Sequence, residues 1–198
     1  LHGIGKTALI TEFIYQNETQ HHFVCMLSGK SESTLIDSIQ SLDIWEETSH
    51  QAPDEKTALF KKFQEIITTY HSPLLIIEDV ENEETVQSFL SHLSCTILIT
   101  SNNFNWSDTH CRIFLSEFSK EEAMQLLEEE TLQQDKETLA SLSEALYKHP
   151  SVITRAKGEI AQQSIDNKSY LDQYITTSDS LSITTLTERC GEPLIEQY

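Results

Sequence analysis

The run Leu74-Leu75-Ile76-Ile77 places four apolar residues in succession and ends in two carboxylates, Glu78-Asp79. A run without polar alternation is typical of a strand that is buried on both faces, as in a parallel sheet. Ligands of open α/β sheets bind beyond the carboxyl ends of the strands, which is where the two carboxylates would stand. The run therefore predicts a strand of an α/β domain with a candidate site at its end.

Strand and helix patterns flank this run on both sides. Further strands are predicted at 22–27, 96–100 and 113–115, and helices at 54–70 and 84–92. The helix at 54–70 has one apolar face, and Asp54 can cap it. Since strands that alternate with helices indicate α/β packing, we expect an α/β domain over residues 1–117.

The pattern changes to helices alone after residue 117. Ser119 and Glu122 have the spacing of a capping box at the start of a helix. Apolar periodicity predicts helices at 120–131, 136–148 and 151–163, with another near Ser169. We expect a small helical domain over residues 118–175, then a Ser/Thr-rich linker or the start of a further module over 176–198.

A phosphate-loop pattern, G-x-x-x-x-G-K-[ST], covers the opening residues L-H-G-I-G-K-T from its second position onward. We expect its first glycine just before Leu1. Glycines let backbone N–H groups converge on one anion, and the following helix adds the positive end of its dipole. Lys6 would meet the β- and γ-phosphates, and Thr7 would place its hydroxyl on a magnesium ion. The alternative is a glycine turn that caps an ordinary helix.

The carboxylates Glu78 and Asp79 form the second part of the predicted site. An acidic pair at the end of a buried strand is costly without a cation, and Mg²⁺ bridged to phosphates would remove that cost. Together with Thr7, the two carboxylates are the predicted metal ligands, and they are also the candidate catalytic residues. The alternative is a solvated acidic turn, because further glutamates follow at once.

The composition narrows the class of partner. The chain has 32 acidic and 13 basic residues and a net charge of −19. Nonspecific binding to nucleic acids or to anionic membranes needs a basic face, so we expect neither partner. The cysteines are widely spaced without a C-x-x-C pair, which fits a reducing compartment. Residues 28–31, Ser-Gly-Lys-Ser, imitate the end of a phosphate loop, and we interpret them as a loop after a strand.

The order of these pieces resembles the NB-ARC domain of the STAND class of P-loop ATPases over residues 1–175. The family's Walker A, Walker B, sensor, lid and G-L-P-L motifs are matched in order by residues 3–7, 74–80, 97–102, 118–123 and 149–153. The shared order is more specific than any one piece. The resemblance implies ADP or ATP as ligand, with Mg²⁺ as cofactor. The residues it assigns to the nucleotide are Gly3, Ile4, Gly5, Lys6, Thr7, Ala8, Asn102 and Pro150.

Three of the matched motifs depart from the family. Asn102 stands where the family usually has an arginine that reads the γ-phosphate, and a neutral amide cannot replace that charged fork. Glu78 stands where the family usually has the metal-binding aspartate, and the G-L-P-L motif is reduced to Pro150. These departures weaken hydrolysis more than binding, so we expect at most a slow P-loop ATPase.

The resemblance implies a cytoplasmic signalling switch. Exchange of ADP for ATP would open the helical lid and allow self-assembly into a homo-oligomer, and protein partners would bind through flanking domains. The alternative is a degenerate NB-ARC-like scaffold that binds a protein partner without nucleotide turnover. A P-loop kinase or helicase fits less well, because the sequence shows no second substrate motif and no basic channel.

The P-loop fold also implies a strand upstream of Leu1. In the family's strand order, that strand lies between the ones near Ile97 and Ile113. Without it the phosphate loop would lack its tether, so we expect these 198 residues alone to bind nucleotide poorly.

Overall fold

The computed structural model describes residues 2–47, 51–107, 111–128 and 135–178, which divide into two compact units. The sheet unit is Thr7–Arg112, and the helical unit combines residues 2–6 with the described residues from Ile113 onward. The sheet unit contains α1 (Lys6–Asn17, from Thr7 on), β1 (Val24–Ser28), α2 (Glu32–Gln40), α3 (Ile44–Glu47), α4 (Lys56–Ile67), β2 (Leu74–Glu78), α5 (Glu83–Leu90) and β3 (Thr96–Ile99). The helical unit contains α6 (Lys120–Glu128), α7 (Lys136–Ala145), α8 (Pro150–Gln163) and α9 (Asn167–Ser178). The division after Arg112, and the grouping of residues 2–6 with the helices, both differ from the expected boundary after residue 117.

The sheet has three parallel strands in the order β1-β2-β3. In its register Val24 pairs with Leu74, and Leu74 pairs with Thr96. The first four residues of β2 are all buried, with exposed fractions of 0–1%. A middle strand with helices on both faces has no solvent-facing side, which explains why its apolar residues do not alternate. The predicted buried strand and the mixed α/β class are confirmed.

The two faces of the sheet are covered by different helices. On one face, Ile10 of α1 packs against Leu74 and Ile76 of β2. On the other face lies the larger core, in which the rings of Phe60 from α4 and Phe89 from α5 are 4.8 Å apart. Burying an aromatic side chain of this kind stabilises a fold by about 1.5–3 kcal/mol. The two buried faces of β2 therefore anchor its end, where Glu78 stands.

Local capping decides where the helices of the sheet unit begin. The Glu55 carboxylate accepts hydrogen bonds from the backbone N–H groups of Thr57 and Ala58, at 3.0 and 2.7 Å. The expected cap at Asp54 is therefore wrong by one residue, because the extended backbone of Glu55 places its own carboxylate over the first turn. Helix α2, which was not predicted from the sequence, begins after a Ser31 cap whose hydroxyl accepts from Thr34 N at 3.1 Å.

The strand expected at 113–115 is wrong. Residues 111–119 contain no strand, and the side chains of Ile113 and Phe114 are 79% and 65% exposed. A strand is stable only where a neighbouring strand satisfies its backbone N–H and C=O groups, and no described strand of the helical unit offers that pairing. Three apolar residues therefore predicted a strand that their surroundings do not support.

The helical unit has a core of its own. Leucines and isoleucines from α6, α7 and α8 pack together with Tyr170 of α9. The predicted capping box is confirmed, since Ser119 N donates to Glu122 Oε2 at 2.7 Å and Glu122 N donates to Ser119 Oγ at 3.2 Å. Helix α7 ends three residues earlier than expected, because Tyr147 and Lys148 adopt left-handed φ angles of 56° and 54°.

Two predicted segments, one helix and the linker, lie partly outside the described residues. Residues 129–131 of the expected 120–131 helix lie outside them, as do residues 179–198 of the expected linker, whereas 176–178 belong to α9. Within the described ranges, no helix is both long and apolar enough to cross a membrane.

Candidate functional site

Thr7 and Glu78 are in direct contact in the sheet unit. Thr7 lies in the first turn of α1, and Glu78 is the last residue of β2. The Thr7 hydroxyl Oγ1 donates a hydrogen bond to the Glu78 carboxylate Oε1 at 3.0 Å. Because β2 runs parallel to both neighbours, its carboxyl end is the edge at which open α/β sheets bind ligands. The start of a helix and the end of the middle strand thus bring two predicted metal ligands together.

Asp79, the third predicted metal ligand, follows Glu78 in an unusual backbone conformation. Its φ angle is 56°, in the left-handed region that residues other than glycine, asparagine and aspartate rarely adopt. Its side chain is exposed, whereas that of Glu78 is half-buried. Local backbone strain of this kind is often found at functional sites. The exposed Asp79 also fits the alternative of a solvated acidic turn, so Glu78 is the stronger candidate ligand.

The oxygen atoms of Thr7 and Glu78 suit a hard cation. Mg²⁺ is usually held by one or two protein carboxylates and completes its coordination with water and substrate phosphates. Among the described residues, no group of three or more His, Cys, Asp or Glu side chains is arranged to hold an ion without other ligands. By this chemistry, a cation at Thr7 and Glu78 would share its coordination with water and phosphate oxygens.

The two glycines of the phosphate loop are required for different structural reasons. Gly5 has a φ angle of 98° and open space where a Cβ would stand, so its backbone conformation alone requires glycine. Gly3 has a φ angle of 71°, and a Cβ there would overlap with the Ser151 side chain. Its carbonyl oxygen accepts a hydrogen bond from Ser151 N at 3.2 Å. The contact between Gly3 and Ser151 lies within the helical unit.

Within the helical unit, the start of α8 contacts the phosphate loop. Pro150 is the first residue of α8 and is buried, and His149 before it is 3% exposed. The Nδ1 atom of His149 lies 3.2 Å from Ser151 Oγ, and its buried Nε2 has no hydrogen-bond partner among the described residues. Burial lowers the pKa of His149, and the negative charge of Glu117 partly opposes that shift. The structure therefore places the predicted nucleotide residue Gly3 in contact with Ser151, which directly follows Pro150.

The remaining predicted nucleotide residues differ in exposure. Ile4 is buried, with an exposed fraction of 7%, whereas Ala8 beside Thr7 is exposed. Lys6 is half-buried at the first position of α1, and Asn102 is half-buried in the loop after β3. The boundary between the two units falls between Lys6 and Thr7. The structure therefore shows two local groups of predicted residues, one in each unit.

Gly29, whose sequence context predicts only a loop, lies in the region of the candidate site. Its N–H donates to the carbonyl oxygen of Glu78 at 2.7 Å. A Cβ at Gly29 would overlap with the side chains of Val80 and Ile77. A glycine directly after a strand, in a sheet whose neighbouring strand ends in carboxylates, is the signal that could have indicated this close approach.

No family model matches the chain, and no curated protein matches it.

Proposed function

We propose that the chain is the ADP- and ATP-binding switch domain of a STAND-type signalling protein, with slow or absent hydrolysis. The observation that carries the proposal is the hydrogen bond from Thr7 Oγ1 to Glu78 Oε1 across a separation of 71 residues. Two motifs that the sequence assigned to one metal–phosphate site thus meet at the carboxyl end of the middle strand. Such a meeting is what a single metal–phosphate site requires.

Each residue of the candidate site has a role in binding that follows from its chemistry. Lys6 supplies a positive charge to the phosphates, in a protein whose net charge of −19 otherwise repels them. Thr7 and Glu78 would hold Mg²⁺, which supplies charge neutralisation of the phosphates when it is bound. The left-handed Gly5 keeps the loop backbone free of a Cβ.

The residue at the family's sensor position, which reads the γ-phosphate, is the reason to expect slow turnover. Asn102 is a neutral amide and cannot supply the charge that an arginine gives to a transferring phosphoryl group. We therefore infer that the exchange of ADP for ATP regulates the protein. Self-assembly of the activated protein, protein partners bound by flanking domains, and a cytoplasmic location belong to the same proposal.

The test is the binding and turnover of nucleotide by the full-length protein. We expect Mg²⁺-ADP and Mg²⁺-ATP to bind, and hydrolysis to be far slower than the roughly 1 per second at the low end of typical enzymes. Lys6→Ala is expected to weaken the binding of both nucleotides. Folded wild-type protein that binds neither nucleotide would refute the proposal.

A degenerate scaffold is the second candidate, and the contact between Gly3 and Ser151 favours it. That contact requires a glycine at position 3 for packing alone, without a phosphate. The scaffold predicts that the melting temperature is the same with and without nucleotide, in both wild type and Lys6→Ala. A nucleotide-dependent rise in the wild-type melting temperature would exclude it, since a ligand that binds only the folded state stabilises that state.

A further inference from the structure

The backbone forms a left-handed turn at Asp79, directly after the end of β2. Its φ angle of 56° costs free energy for any residue with a Cβ, although an aspartate tolerates it better than most. Such a conformation persists only where the surrounding hydrogen bonds fix it. The turn follows directly on Glu78, so its conformation decides how the strand end presents that carboxylate.

Thr100 supplies most of those hydrogen bonds. It is a buried polar residue, 7% exposed, and directly follows β3. Its N–H donates to the carbonyl oxygen of Ile77 at 3.0 Å, and its carbonyl oxygen accepts from Val80 N at 2.9 Å. Between these two bonds, its hydroxyl Oγ1 accepts from Asp79 N at 2.9 Å.

Only one of these bonds depends on the side chain of Thr100. The backbone bonds to Ile77 and Val80 are open to any residue at this position, whereas the bond to Asp79 N needs a short side chain with an acceptor. Glu78 itself is held from the other side, because Gly29 N donates to its carbonyl oxygen at 2.7 Å. The Thr100 hydroxyl is therefore the side-chain acceptor for the Asp79 amide, while the neighbouring Ser101 hydroxyl donates to the carbonyl oxygen of Val80.

We propose that Thr100 is a positioning residue of the candidate site: its hydroxyl fixes the turn at Asp79 and thereby directs the Glu78 carboxylate towards Thr7. The inference rests on the proposed function, since it concerns the carboxylate that would hold Mg²⁺. It predicts that loss of the hydroxyl weakens the metal-dependent part of nucleotide binding and leaves the metal-free part intact. A residue that served packing alone would show no such separation.

The test compares Thr100→Val with Thr100→Ser in the full-length protein. Valine keeps the shape of threonine but removes the acceptor, whereas serine keeps the acceptor. Thr69→Val is the matched control, because Thr69 Oγ1 also bonds a backbone group, the carbonyl oxygen of Ile66, in the turn after α4. The two readouts are the ratio of ADP affinities with and without Mg²⁺, by calorimetry, and the hydrogen exchange of the Asp79 amide, by NMR.

We expect Thr100→Val to reduce the affinity ratio about tenfold and to speed exchange at the Asp79 amide by about tenfold or more. Thr100→Ser should restore both values, and Thr69→Val should change neither. A wild-type affinity ratio in Thr100→Val, in protein that still binds nucleotide, would overturn the inference and leave the proposed function standing. Wild-type protein that binds no nucleotide would refute the proposed function, while exchange at Asp79 would still decide whether Thr100 fixes the turn.

Discussion

The hydroxyl of Thr7 and the carboxylate of Glu78 are 3.0 Å apart, with Thr7 Oγ1 donating to Glu78 Oε1. The sequence assigns both residues to one metal site, but local sequence does not predict the direct hydrogen bond between them. Their contact depends on α1 lying across β2, where Ile10 packs on Leu74 and Ile76. Apolar packing on one face of the sheet therefore places the two polar groups of the candidate site.

The charge of Glu78 can be tested without removing its hydrogen bond. Glu78→Gln keeps an oxygen that accepts from Thr7 but loses the negative charge that a cation requires. We expect the gain in ADP affinity that Mg²⁺ provides to fall about tenfold, because one of few protein carboxylates would be lost. Calorimetry with and without Mg²⁺ measures that gain.

Glu84→Gln is the control for this substitution, because Glu84 is an exposed residue in the first turn of α5. It removes the same charge from the protein and should leave the gain from Mg²⁺ unchanged. Equal losses in Glu78→Gln and Glu84→Gln would show that only the overall charge matters, against a specific role of Glu78.

Gly29 provides a test of the packing around the strand end. Gly29→Ala should destabilise the sheet unit by about 1–3 kcal/mol, because the new Cβ overlaps with Val80 and Ile77. Gly158→Ala is the matched control: Gly158 lies in α8 with open space around it, and alanine there should stabilise the helix by about 0.5–1 kcal/mol. Urea denaturation measures both. A neutral or stabilising Gly29→Ala would contradict the close approach.

The two loop glycines should respond differently to the same substitution. Gly3→Ala meets both a left-handed φ angle and an overlap with Ser151, whereas Gly5→Ala meets only the φ angle. We expect Gly3→Ala to speed hydrogen exchange at the Ser151 amide, since Gly3 O would no longer accept its N–H. Gly5→Ala should cost about 1–2 kcal/mol and leave that amide protected. Faster Ser151 exchange in Gly5→Ala alone would contradict the assignment.

His149 makes the stability of the helical unit depend on pH. Burial lowers its pKa below the ordinary 6.5, so the unfolded chain takes up the proton first as the pH falls. The contribution of His149 to the free energy of unfolding is therefore fully present above about pH 6.5. It declines as the pH falls towards the lower pKa of the folded state. His149→Leu should flatten this decline, measured as the free energy of unfolding at about pH 7.5 and about pH 5.5. An unchanged slope in His149→Leu would contradict the prediction.

Elements with a strong local pattern could be predicted from the sequence. The unbroken run at 74–77 indicates a strand with neighbours on both sides, and the structure confirms it as the middle strand. The apolar face of α4 was equally clear, with Phe60 and Phe63 at 1% and 0% exposure. In both cases burial alone determines the pattern, so the residues carry the information locally.

Features that depend on long-range contacts could not be predicted in the same way. Residues 113–115 have the composition of a strand, but pairing depends on a neighbour that local sequence does not show. Gly29 and Thr100 were ordinary loop and strand-end residues until the fold placed them against the backbone of Glu78 and Asp79. The same holds for the contact between Gly3 and Ser151, which joins residues 148 positions apart.

The most direct test of the proposed function is the affinity of the full-length protein for Mg²⁺-ADP, measured by calorimetry in three forms: wild type, Lys6→Ala and Lys30→Ala. Lys30 is the matched control, because it is an exposed lysine in the Ser-Gly-Lys-Ser stretch that only imitates a phosphate loop. We predict that Lys30→Ala binds like wild type and that Lys6→Ala binds at least about tenfold more weakly. Equal affinities of Lys6→Ala and wild type, or no binding by folded wild type, would contradict the assignment of the nucleotide site.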